Sequence, residues 1–270
     1  MVVSKIVAIL NLTPDSFFDG GQYFSSERAV QRALKMEEEG ADWIDIGAES
    51  TRPGSKEVSF EEEFRRLKDV LPAIMQNVSI PVSIDTRKAK IAAWALDKGV
   101  SRVNDVSACQ YDPEMASVIA DSKASFVLMH ALADPEIMQD APSYRDVCQE
   151  VYSFFQNRLD YCDKKGIPLG RVILDPGIGF GKTSEHNLEL LKAIPSWKNL
   201  KCPFFIGVSR KSFFKDILGR EKQDRLAGSL SVHAWLVKNE IEYIRVHDVK
   251  ETFDLIRMWS LLEEKREGES

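Results

Sequence analysis

The sequence predicts an α/β fold: a (β/α)8 TIM barrel in a single domain over residues 1–270, with a frayed tail from about 264. Three observations predict it. Eight short runs rich in β-branched residues recur along the chain, and seven are apolar with little alternation, as parallel strands buried on both faces are. An amphipathic segment of helical period follows each run. The series fills ~250 residues, the length of eight such units closed on themselves. An open doubly wound sheet is the competing architecture; eight uninterrupted units without a Pro/Gly/Ser linker favour closure.

KIVAILN (5–11) is the first strand. The stretch after it, NLTPDSFFDGGQYF (11–24), exceeds an ordinary βα turn and holds Pro14, Gly20 and Gly21. SSERAVQRALKMEEEG (25–40) is the first helix, with Ser at its N-cap and Gly40 as its stop. WIDIGAE (43–49) is the second strand, and ESTRPGSKEVS (49–59) a second long loop. Long βα loops in a compact domain are usually lids or binding loops. FEEEFRRLKDVLPAIMQ (60–76) sets Phe60, Phe64, Leu67 and Leu71 on one stripe, with a bend or an end near Pro72. The remaining strands are IPVSIDT (80–86), RVNDVSA (102–108), SFVLMH (125–130), RVILDPG (171–177), PFFIGVS (203–209) and YIRVHDV (243–249). Helical segments KAKIAAWALDKG, PEMASVIADS, YRDVCQEVYSFFQNRLDYCDKKG, EHNLELLKAI, RLAGSLSVHAWLVKNE and KETFDLIRMWSLLEEK follow them in turn. RVNDVSA is the polar exception among the strands.

Composition excludes several classes. Apolar residues at 44% and charged residues at 29% fit a globular chain. The net charge of −6 argues against nucleic-acid binding through bulk positive charge, while leaving room for a local basic pocket. The four cysteines lack a C-x-x-C pair, which fits no zinc site and suggests reduced thiols in a cytoplasmic setting. The five-residue apolar run in MVVSKIVAIL is too short for a signal-peptide core, and no segment approaches the ~18 apolar residues of a membrane span.

DPGIGFGKT (175–183) resembles a P-loop, yet Gly177 stands one residue too close to Gly181, and Pro176 offers no N–H to a phosphate. Barrel chemistry gathers at the C-terminal strand ends. In order, those ends carry Asn11, Asp45 with Glu49, Asp85, Asn104, His130, Asp175, Ser209 with Lys211, and Arg245 with His247. One such residue could merely cap a helix; a full ring is poorly explained that way. Asp85, Asn104 and Asp175 suit a flat heterocycle with an amidine-like edge, since a carboxylate can accept two parallel N–H bonds. Lys211, Arg245 and His247 suit a phosphorylated group.

The motifs NLTPDSFFDGG, DIGAESTRPG, SIDT, VNDVSA, MH, MQ…PSYRDV, LDPGIGFGKT, GVSRKSF and RVHDV run in order from residue 11 to 249. Together they resemble the dihydropteroate synthases. The resemblance implies joining 6-hydroxymethyl-7,8-dihydropterin diphosphate to p-aminobenzoate, giving 7,8-dihydropteroate and diphosphate. It implies pterin-binding roles for Asp85, Asn104, Asp175 and Lys211, with Met129, Phe180 and Gly207 as walls. Asn11, Thr51, Arg245 and His247 match the diphosphate side, where Asn11 is the position contacting Mg²⁺. Thr51, Arg52, Pro53 and Ser209 match the region receiving p-aminobenzoate, the compound that sulfonamides mimic. Asp15, Arg52 and Lys211 are the implied catalytic positions. The family is commonly a homodimer through its last helices, which FDLIRMWSLL fits. Ala48, where the family often has Gly, and the segment MHALADPEIMQ depart from the pattern at positions without a chemical role.

A methyltetrahydrofolate methyltransferase would share the Asp and Asn ring but is not expected to carry STRPG or SRKSF. A non-catalytic barrel would show a damaged ring, and a P-loop hydrolase would need the missing Gly. Among single residues, His130 reads either as facing the site or as a core ring supporting it. His186 and His233 read as surface or packing residues, and Lys182 and Thr183 as the approach to a helix rather than phosphate ligands. The five tryptophans read as core or interface.

Overall fold

A computed structural model describes residues 4–13, 18–19, 23–24, 26–50, 54–133 and 142–263. All eight expected strands form: β1 Lys5–Asn11, β2 Trp43–Gly47, β3 Val82–Asp85, β4 Arg102–Asp105, β5 Ser125–Met129, β6 Val172–Asp175, β7 Phe205–Gly207 and β8 Tyr243–Val246. Every ladder between them is parallel, and the order β6-β5-β4-β3-β2-β1-β8-β7 leaves β6 and β7 at the ends. Those ends meet. Leu174 bridges Phe204 in parallel, and its N–H donates to the Pro203 carbonyl at 2.9 Å. This bridge brings the two ends of the eight-stranded sheet together into a nearly closed barrel.

Period-2 alternation sorts the side chains into two cores. Ile6, Ala8, Leu10, Ile44, Ile46, Ile84 and Val103 face outward into one large cluster with the helices. Val7, Val127, Ile173 and Phe205 face inward as a small separate cluster flanked by Trp43 and Tyr243. The base of the barrel is closed by Arg102, whose guanidinium lies 3.7 Å from the Trp43 ring centroid and 4.3 Å from that of Tyr243. RVNDVSA reads as polar because its inward positions are Arg102, which makes this plug, and Asn104, which belongs to the site at the other end.

The helices are α1 Ser26–Glu38, α2 Phe60–Leu67, α3 Val70–Asn77, α4 Ala89–Asp97, α5 Met115–Asp121, α6 Val147–Lys164, α7 Ser184–Ala193, α8 Phe213–Leu218, α9 Leu226–Lys238 and α10 Val249–Glu263. The segment expected as a helix over 60–76, bent or ended near Pro72, is two helices parted at Lys68–Asp69. Pro72 becomes the third residue of α3, inside the first turn, where no intrahelical acceptor exists for an N–H. Helix α6 begins at Val147 rather than Tyr144, because the Asp146 side chain caps it by accepting the Gln149 N–H at 2.9 Å. Helix α8 was not expected; at six residues it is too short to show a periodicity. The tail from 264 lies outside the described residues.

Candidate active site

Register brings the polar strand ends together, since Gly47 pairs with Asp85 and Asp85 with Asn104, while Met129 pairs with Asp175 and Gly207 with Arg245. At the centre is Asp45, fully buried on β2. Its Oδ1 accepts the Ser83 hydroxyl; its Oδ2 accepts Asn104 Nδ2 at 3.0 Å and Arg245 Nε at 2.7 Å. Arg245 Nη2 donates to Asp85 Oδ2 at 2.9 Å, so one guanidinium spans two carboxylates. Burial pushes the Asp85 carboxyl up to about 8, with Arg245 opposing the rise. Asp85 Oδ1 and Asn104 Oδ1 are buried without a hydrogen-bond partner among the described residues. Orphaned buried acceptors are uncommon and costly, and here two of them sit side by side at the mouth of the barrel.

Asp175 lies across the mouth. Its Oδ1 accepts the Gly177 N–H at 2.7 Å, and burial raises its carboxyl, with Lys211 next in effect and opposing. Lys211 donates to the Ile178 carbonyl and sets its ammonium 4.4 Å from the Phe180 ring centroid. Burial lowers it to about 8. The Gly-rich loop after β6 is built for close approach, since Gly177 has φ +65° and a Cβ there would sit 1.9 Å from the His130 carbonyl oxygen. Thr183 caps α7 and His186 completes its capping box, so Gly-Lys-Thr opens a helix as expected. Lys182 is buried: its Nζ lies 2.9 Å from His130 Nδ1 and donates to the Phe180 carbonyl at 3.0 Å. Burial lowers Lys182 to about 7 and His130 to about 3. His130 is therefore a supporting ring, edge-on to Phe154.

On the opposite side, Ser209 Oγ accepts the His247 N–H at 3.2 Å and lies 3.1 Å from His247 Nδ1. Arg210, with φ +55°, pairs with Asp248 at 2.8 Å and anchors the Ser209–Lys211 turn to the start of α10. The Arg245 guanidinium, expected with His247 on the diphosphate side, engages Asp45 and Asp85, two buried carboxylates that need a counter-charge. Met129 is buried, while Phe180 and Gly207 are partly exposed beside the same mouth. Asn11 ends β1, partly exposed, with no side-chain hydrogen bond among the described residues. Asp15, Thr51, Arg52 and Pro53 lie outside the described residues. The base of the second long loop is nevertheless clasped, because Glu49 accepts Lys88 Nζ at 2.6 Å, Arg87 Nη2 at 3.1 Å and the Val58 N–H at 3.2 Å. Burial works against the Glu49 charge, yet Lys88 and Arg87 together hold its carboxyl below the usual range.

Sequence reasoning counted Asp45 in the ring but assigned it no partner, gave no role to Ser83 or Asn187, and underused Lys182. A polar Ser83 within an otherwise apolar strand was the available signal.

The family profile described as pterin binding enzyme matches residues 7–247. The dihydropteroate synthase of Synechocystis sp. is 41% identical over 91% of this chain and 85% of its own. The chain belongs to the dihydropteroate synthase family. It is accordingly a pterin-directed transferase. The solved Xanthomonas albilineans dihydropteroate synthase with 4-aminobenzoic acid superposes with a TM-score of 0.91, at 38% identity over 97% of this chain and 94% of that one. The same enzyme in complex with 7,8-dihydropteroate superposes at 0.87, with 35% identity and 97% and 95% coverage. Dihydropteroate synthases thus share the barrel whose mouth carries the Asp45, Asp85 and Asn104 ring here.

Proposed function

We infer that the chain condenses 6-hydroxymethyl-7,8-dihydropterin diphosphate with p-aminobenzoate, releasing 7,8-dihydropteroate and diphosphate in folate biosynthesis. The observation that carries this reading is the pair of buried acceptors, Asp85 Oδ1 and Asn104 Oδ1, that have no partner among the described residues and share the barrel mouth with Asp175. An amidine-like pterin edge supplies the N–H donors these oxygens lack. Lys211 donates to the ring from the loop side, and Met129, Phe180 and Gly207 form the walls. Arg245, Thr51 and His247 serve the diphosphate end, with Arg245 bridging from the carboxylates. Ser209, Thr51, Arg52 and Pro53 receive p-aminobenzoate.

The donor set bears on the metal. Among the described residues no group of three or more His, Cys, Asp or Glu could cage an ion. Asn11 offers a single carboxamide oxygen that no other described side chain claims. Mg²⁺ is held by few protein oxygens, with waters and substrate phosphates completing its shell, and a lone Asn11 oxygen fits that pattern. Asn11 would hold Mg²⁺ there, and the ion would supply charge neutralisation for the diphosphate.

The bond that breaks joins the pterin methylene to a diphosphate oxygen, and its electron pair leaves with that oxygen. Ring electrons stabilise the positive charge left on the methylene, and Asp15 adds electrostatic support. Arg245 and His247 take up negative charge on the leaving group. The amine nitrogen of p-aminobenzoate, oriented by Arg52, forms the new C–N bond and then releases a proton. Its low basicity removes the need for a strong base, and no covalent enzyme intermediate forms.

Two wider properties complete the reading. Trp235 on α9 and Phe253, Met258, Leu261 and Leu262 on α10 are exposed apolar side chains, which supports a homodimer through these helices. No described helix is long and apolar enough to cross a membrane, in keeping with a cytoplasmic enzyme. The test is diphosphate release from dihydropterin diphosphate, with and without p-aminobenzoate and after EDTA. Release coupled to dihydropteroate, and lost in Asp85→Ala, Lys211→Ala and the chelated protein, is expected. Pterin binding without release would overturn the synthase reading.

A further inference from the structure

The loop of residues 177–181 has one internal backbone hydrogen bond, from the Phe180 N–H to the Gly177 carbonyl at 3.0 Å. Gly177, Gly179 and Gly181 all have positive φ, at +65°, +80° and +66°, so the loop cannot lean on a regular ladder. It is instead held residue by residue. Asp175 accepts the Gly177 N–H and Asn187 Oδ1 the Gly179 N–H, both at 2.7 Å. Lys211 donates to the Ile178 carbonyl, Lys182 to the Phe180 carbonyl at 3.0 Å, and the Tyr144 hydroxyl to the Gly181 carbonyl at 2.9 Å. Of the two lysines, Lys211 borders the mouth. Lys211 spends one of its three ammonium donors on the Ile178 carbonyl, so turning the ammonium toward a ligand competes with that contact.

Lys182 is placed differently. It is buried on the far side of the loop, and its Nζ lies 3.5 Å from where a Cβ on Gly177 would stand. Its remaining contacts are His130 Nδ1 at 2.9 Å and the His130 carbonyl at 3.5 Å, both at the end of β5. As an ammonium, Lys182 has three donors that match these three contacts, with His130 Nδ1 as an acceptor. Lys182 thus ties the loop to the end of the neighbouring strand.

We propose that Lys182 is a positioning residue that keeps this loop in its ligand-ready shape when Lys211 exchanges the Ile178 carbonyl for the pterin ring. The inference rests on the pterin-pocket reading above. It makes one lysine the movable donor and the other the fixed one, each on an alternate carbonyl of the same loop.

The test compares Lys182→Met, Lys182→Arg, Lys211→Ala and the Lys182→Met/Lys211→Ala double variant, with KM measured separately for dihydropterin diphosphate and p-aminobenzoate. Lys182→Met is expected to raise the dihydropterin diphosphate KM by ~10-fold or more, the loss typical of a hydrogen bond to a charged donor, and to leave the p-aminobenzoate KM within ~2-fold. Lys182→Arg, which keeps the donors, recovers part of the loss. In the Lys211→Ala background the Lys182→Met effect shrinks, because the two act through one another. An unchanged dihydropterin diphosphate KM in folded Lys182→Met overturns the proposal, as do equal rises for both substrates or full additivity with Lys211→Ala. An unchanged dihydropterin diphosphate KM in Lys211→Ala overturns the pocket reading itself. If Lys182→Met does not fold, Asn187→Ala removes the neighbouring clamp without touching a charge. The same selective KM rise is expected there, and its absence counts against loop positioning.

Discussion

Replacing Asp85 with Asn is expected to make the protein more stable and nearly inactive, two effects that follow from one side chain. Burial raises this carboxyl from 3.8 to about 8. The folded state therefore binds more protons than the unfolded state between those values, and stability falls as pH rises through that window. At pH 7 about three of those pKa units act, a penalty of ~4 kcal/mol on folding. Asn removes the titration and still offers an oxygen to Arg245 Nη2, now 2.9 Å from Asp85 Oδ2. The Arg245 attraction already opposes that penalty and Asn keeps a neutral acceptor for it, so the net gain is on the order of 1–4 kcal/mol. That corresponds to a rise of ~2–4 °C in Tm per kcal/mol for a chain of this size. The gain is larger at pH 9 than at pH 5, because the carboxyl is charged at one and largely protonated at the other. Catalysis moves the opposite way. A carboxamide NH₂ turned toward the pterin N–H groups sets donor against donor, costing ~3 kcal/mol or more and ~100-fold in kcat/KM. Thermal unfolding at pH 5, 7 and 9 beside steady-state kinetics reads both. A variant less stable than the parent at pH 7, or one retaining kcat/KM for dihydropterin diphosphate, would refute the reasoning.

Three further outcomes are expected. Gly177→Ala places a methyl 1.9 Å from the His130 carbonyl oxygen at φ +65° and should abolish activity, whereas Gly166→Ala, also at positive φ but in open space, should cost only ~1–2 kcal/mol of stability; turnover and urea unfolding of both separate the two cases. Arg102→Ala empties the space between Trp43 and Tyr243 at the base of the barrel and should cost ~2–4 kcal/mol in urea unfolding. Its kcat/KM should stay within ~2-fold of the parent, because the site is at the other strand ends. His233, buried between α9 and α10 beside Thr252, is lowered by burial from 6.5 to about 4. The unfolded state then binds the extra proton, so stability is lost as pH falls below 6.5; unfolding at pH 7 and 4.5 should show the parent losing ~2–3 kcal/mol more than His233→Gln.

The sequence made the barrel legible because strand burial on two faces and helical amphipathicity are both local signals. It made the ring legible for a related reason: a polar residue ending an apolar run stands out within a few positions. What it left obscure was pairing at a distance. Nothing near Asp45 announces that Arg245, 200 positions away, and Asn104, 59 away, both bind it; barrel closure alone makes β8 and β1 neighbours and brings Arg245 over β2. Lys182 was hidden by its own motif, since a lysine after a glycine loop suggests a phosphate ligand or a helix start. Only the fold shows its ammonium turned inward to the Phe180 carbonyl and the His130 ring. RVNDVSA shows the limit most clearly. Its alternation was weak because its two inward residues answer to opposite ends of the barrel, Arg102 to an aromatic plug and Asn104 to the site. A strand whose inner face is divided between stability and chemistry cannot show the uniform apolar run that identifies its neighbours, so a blurred strand signal within a clean series is itself a pointer to the positions that carry function.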